Sequence, residues 1–87
     1  EQMNREKELL NLELEQLNQI IEAAEQKLAE IRQDKADLKR ELAKVEHDKL
    51  RDSYLQLLHN LGELEDRTTK LLQEASTARE QVHNELP

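Results

Sequence analysis

The ten residues 45–54, "VEHDKLRDSY", decide how this chain folds. On their N-terminal side, apolar residues recur along one helical stripe. On their C-terminal side they recur along another. With Met3 as a d position, the d row reads Met3, Leu10, Leu17, Ala24, Ile31, Leu38 and Val45. The a row reads Lys7, Leu14, Ile21, Leu28, Lys35, Leu42 and Lys49. Eleven of these fourteen positions are apolar, and a heptad repeat sustained at that length signals a coiled coil. Carried further, the same frame meets Asp52, Gln56, His59, Glu63, Asp66 and Lys70, all polar. A second frame replaces it. Its d row is Leu50, Leu57, Leu64, Leu71, Ala78 and Glu85, and its a row is His47, Tyr54, Leu61, Thr68, Ala75 and Val82.

Two architectures reconcile the frames. In the first, one helix runs through 45–54 and locally unwinds, because 3.6 residues per turn does not match a 3.5 repeat. The product is an extended two-stranded coiled coil, a parallel homodimer, with each chain a rod about 130 Å long. In the second, the chain turns back near 46–49 and the two arms pack as an antiparallel helical hairpin. The arms match in length, but "EHDK" contains neither Gly nor Pro, and short helix–helix turns commonly use one. The sequence therefore favours the all-α parallel dimer, with the hairpin as the alternative. Residues 1–87 form a single segment, with a first frame over 3–45, a change at 46–50 and a second frame over 50–85. Lysines at a positions fit a two-stranded core, whose edge lets the ammonium reach water.

The seam expected on this reading comprises Leu10, Leu14, Leu17, Ile21, Leu28, Ile31, Leu38, Leu42 and Val45. Beyond the frame change it comprises Leu50, Tyr54, Leu57, Leu61, Leu64 and Leu71. His47 and Lys49 replace good core residues at the change, so residues 46–52 are expected to be less rigid than either arm. Gly62 reads as a helical glycine, since Leu57, Leu61, Leu64 and Leu71 keep one frame across it. Close approach of a partner is one reason for a glycine there. The end of the chain, at Pro87, is expected to fray.

Composition narrows the function. With 38% charged residues, one Tyr, and no Phe, Trp or Cys, a compact core is not expected, because aromatic side chains bury the most area. Without cysteine there are no disulfides or thiolate metal sites, which fits a reducing, cytoplasmic setting. No apolar run suggests a membrane span. The chain starts at Glu1, as a piece of a longer protein would. The net charge of −7 opposes binding to nucleic acid or anionic lipid. The middle, 31–52, is an exception, with seven bases against six acids. Interleaved charges of this kind usually form a solvated face with i,i+4 pairs.

Chemistry finds little purchase. His47, His59 and His83 are far apart in sequence. His59 and Glu63 share a helical face, but a metal site needs three or four ligands. No nucleophile triad, phosphate loop or HExxH is present. The chain reads as a non-enzyme with no cofactor and no metal.

Surplus apolar residues remain. Leu55 is a b position of the second frame, and Leu58 and Leu72 are e positions. With Tyr54 and Gly62 they form a candidate partner surface within 47–72, since exposed apolar patches mark interaction sites. The expectation is a dimerisation and protein-interaction segment of an intracellular scaffold, tether or adaptor. Its partners would be itself and a globular protein such as a small GTPase, a motor subunit or a cytoskeletal component. The alternative is a purely structural spacer that holds other domains together.

Overall fold

The computed structural model describes residues 2–86, with side-chain burial from residue 4 onward, so the Met3 side chain and Pro87 lie outside the described residues. Two long helices account for almost all of it: α1, Gln2–Leu42, and α2, Asp48–Glu85. Glu, Leu, Gln, Lys, Ala and Arg, all strong helix formers, dominate both. The molecule measures 69 × 14 × 13 Å. A continuous helix of this chain would be about 130 Å long. The helix therefore does not run through 45–54. The chain folds back, and α2 packs along α1 as a hairpin.

The turn forms without the glycine that the sequence was expected to need. α1 ends by tightening. The Lys44 amide donates to the Glu41 carbonyl at 3.0 Å and the Val45 amide to the Leu42 carbonyl at 3.1 Å. These i→i−3 bonds satisfy end carbonyls that an α-helix leaves free. His47 then takes an extended conformation, φ −79° and ψ 123°. Its carbonyl accepts the Arg51 amide at 2.9 Å to start α2. No described residue has positive φ, so no position in the turn demands glycine. Lys39 and Arg40 sit in the last turn of α1 and Asp48 in the first turn of α2. Both placements complement the helix dipoles.

Two cross-helix contacts fix the register. The Arg32 Nε donates to the Glu65 carboxylate at 3.1 Å, and the Arg79 guanidinium to the Asn18 side-chain oxygen at 3.2 Å. Residues 18–32 thus run antiparallel to 65–79, in step. Among the described residues, all the buried ones lie inside this bracket: Ile21, Ala24, Leu28 and Ile31 from α1, Thr68 and Ala75 from α2. Small Ala24, Thr68 and Ala75 let the helices approach. Ile21, Leu28 and Ile31 each contribute roughly 1.5–3 kcal/mol by leaving water. The Thr68 hydroxyl donates to the Leu64 carbonyl at 2.8 Å, so its burial leaves no unpaired group.

Candidate interaction surface

On α1 the residues covered by α2 fall in the a and d rows. Leu10, Leu14, Leu17, Leu38, Leu42 and Val45 are half-buried, flanking the buried centre. Of the three lysines at a, Lys7 and Lys49 are exposed, and Lys35 is half-buried against α2. Its ammonium donates to Glu65 at 2.7 Å.

On α2 the seam differs from the sequence expectation. The a row is inside: Tyr54, Leu61 and Val82 are half-buried, and Thr68 and Ala75 are buried. Its companion in the seam is the e row, where Leu58, Glu65, Leu72 and Leu86 are half-buried. The leucines of the d row stay outside, while Ala78 is half-buried. Leu50, Leu57, Leu64 and Leu71 are 48%, 52%, 39% and 50% exposed. Leu58 and Leu72, read from sequence as surplus surface, are half-buried in the hairpin. The four leucines read as seam are surface.

The physical reason lies in what faces α2. Glu65 occupies an e position and takes the Lys35 ammonium and the Arg32 guanidinium together. These two cations hold its carboxyl below the ordinary value of 4.5, the Lys35 bond being the larger cause. Arg79, another e residue, reaches Asn18. The e row is less apolar than the d row, but α1 carries the groups that answer it. A signal for this is present in the sequence: Lys35, set between Leu28 and Leu42 in the a row of α1, calls for an acid opposite, and among the e residues of α2 Glu65 is the acid.

These polar contacts all lie on one flank of the hairpin. Around a heptad helix, e sits beside a, and d lies on the other side of a. The e residues of α2 and the e and a residues of α1 share the flank of Arg32 and Asn18. The d row of α2 therefore lies on the opposite flank, beside the g row of α1: Glu6, Glu13, Ile20, Lys27, Asp34 and Glu41. Ile20 is 45% exposed there. Leu55 and Gly62, in the b row, face the polar flank. Leu55 is 44% exposed, and the space that a methyl group would fill at Gly62 is open within 4 Å. No approach of α1 accounts for that glycine.

The titratable residues remain apart. His59 contacts Glu63 at 3.0 Å, with both side chains largely exposed. Among the described residues no three His, Asp or Glu side chains converge as a metal set, and no helix is long and apolar enough to cross a membrane. In comparisons with known proteins, no family model, no curated protein and no solved structure matches this chain.

Proposed function

We propose that this chain is a non-enzymatic protein-interaction segment of an intracellular scaffold, tether or adaptor, and that it docks through α2. The observation that carries this reading is the row Leu50, Leu57, Leu64 and Leu71, left about half exposed after the hairpin has closed. Large apolar residues scattered singly on a surface need no explanation, whereas an ordered row of them marks a contact site. The row lies within 47–72, the stretch singled out from sequence, but on different residues: Leu57 and Leu64 in place of Leu58 and Leu72.

The second reading is a spacer. A 69 Å hairpin returns the chain to its starting end, so it would project as a rigid arm rather than separate domains end to end. Replacing Leu57 and Leu64 with Glu separates the two. The substitutions fall on exposed positions, so the hairpin stays helical by circular dichroism. A docking segment then loses its associations in a pull-down from cell extract. A spacer shows the same bound set with and without the substitutions.

A further inference from the structure

We infer that the polar layer of Arg32, Lys35 and Glu65 is a latch. It sets the rotation of α2 about its own axis and so keeps Leu50, Leu57, Leu64 and Leu71 on the surface. With the latch broken, α2 turns and lays those leucines on α1. This rests on the reading of the leucine row as the docking site, and it names what controls that row.

The a row of α2 belongs to two seams. Packed with e, it gives the seam observed. Packed with d, it gives the ordinary heptad seam. At about 100° per residue, d and e lie about 60° and 40° to either side of a, so a turn of roughly 50° converts one seam into the other. Apolar content favours the seam that is not adopted. The d row is Leu50, Leu57, Leu64, Leu71, Ala78 and Glu85, with one charged residue. The e row is Arg51, Leu58, Glu65, Leu72, Arg79 and Leu86, with three. Apolar burial therefore does not hold the e row against α1. Its cross-helix polar contacts do. Glu65 takes the Lys35 ammonium at 2.7 Å and the Arg32 guanidinium at 3.1 Å. The Glu65 and Lys35 side chains are only 21% and 24% exposed, so water and salt screen this pair less than an open surface pair. In the alternative seam neither charge is trapped. Glu65 moves to the flank, and Lys35 lays its stem along the seam with its ammonium in water.

The turn does not pin α2. The helix starts at His47 without a side-chain cap hydrogen bond, and no described residue has positive φ. A rotation of roughly 50° moves a Cα on a radius of about 2.3 Å by about 2 Å, a shift that residues 43–47 absorb.

The chain has no cysteine, so one introduced thiol reports one position. With the latch intact, Leu57→Cys is expected to react with a maleimide several-fold faster than Leu58→Cys, because Leu57 is 52% exposed and Leu58 half-buried. Glu65→Lys sets a third cation beside Lys35 and Arg32, where like charges repel. The order is expected to reverse in that background, with the chain still helical by circular dichroism. Adding Arg32→Glu and Lys35→Glu rebuilds the layer with its charges exchanged, and the parental order is expected to return. An unchanged order with Glu65→Lys overturns the inference. So does loss of the helical fold with Glu65→Lys, since the d row then cannot replace the e row. A reversal that the exchanged charges fail to restore overturns it too, because the layer is then not acting through its ion pairs. The docking reading fails separately. If the order reverses and returns as expected while Leu57→Glu with Leu64→Glu keeps the same bound set from extract, the latch stands and the row it controls is not the docking site.

Discussion

The two helices obey the same heptad rule and answer it differently. On α1 the most apolar pair of rows is the pair that packs. On α2 it is not: the row with four leucines stays in water while a row containing Glu65 is half-buried against α1 and its Arg79 reaches across from the surface. The contrast shows that a seam is chosen jointly. α1 packs through its a and d rows and leaves Leu9, Leu12 and Ile20 exposed. α2 has three adjacent rows, d, a and e, and α1 selects a and e because Lys35, Arg32 and Asn18 complement Glu65 and Arg79. The leucines left over are then available for a second surface.

The largest expected effect is at the centre of α1. Ile31 is 2% exposed. Ile31→Asp buries an unpaired carboxylate and should cost about 4 kcal/mol or more, enough to abolish cooperative thermal unfolding of a two-helix hairpin. If the variant melts like the parent, α1 is not packed through this row.

The sharpest contrast comes from neighbours on α2. Leu58→Asp should destabilise the dilute monomer by about 2–3 kcal/mol, whereas Leu57→Asp should stay within about 0.5 kcal/mol of the parent. Denaturant titration at low concentration reads both. The reverse order would restore the d row to the seam.

A smaller effect concerns the polar layer. The carboxyl pKa of Glu65 is depressed in the fold by Lys35 and then Arg32. Its contribution to stability is therefore present above the ordinary carboxylate value of 4.5 and is lost as pH falls through the lower folded value. Glu65→Gln should melt below the parent at neutral pH, and the gap should close in acid. A gap independent of pH would mean that the ion pairs do not hold the layer.

The smallest effect has the opposite sign. Gly62→Ala meets open space and should stabilise α2 by about 0.5–1 kcal/mol, seen as a higher melting temperature. A loss of stability would show that something packs on Gly62 after all.

Much of this was readable in the sequence. Helicity followed from composition, and the a and d rows of α1 were assigned residue by residue. The sequence marks 45–54 as the place where the apolar stripe changes, and a turn there is the alternative it leaves to a continuous helix. Glycine was expected where i→i−3 bonds from Lys44 and Val45, followed by an extended His47, suffice. The α2 seam was misread for a different reason. Hydrophobicity ranks rows within one helix, whereas the choice of Leu58 and Leu72 over Leu57 and Leu71 depends on Lys35 and Arg32, some thirty residues away on the other helix.

The central claim is that the chain reverses at 43–47 and that α2 lies along α1. It is tested most directly by one distance within a single chain. Glu22 and Gln73 are both exposed and lie on the same flank of the hairpin. Cysteines there can carry spin labels, with labelled chains diluted in unlabelled ones so that only intrachain pairs are read. The hairpin predicts a short distance, set by helix axes about 10 Å apart plus the label tethers. A helix continuous through "VEHDKLRDSY" would separate the labels by roughly 77 Å, and that result would contradict the account.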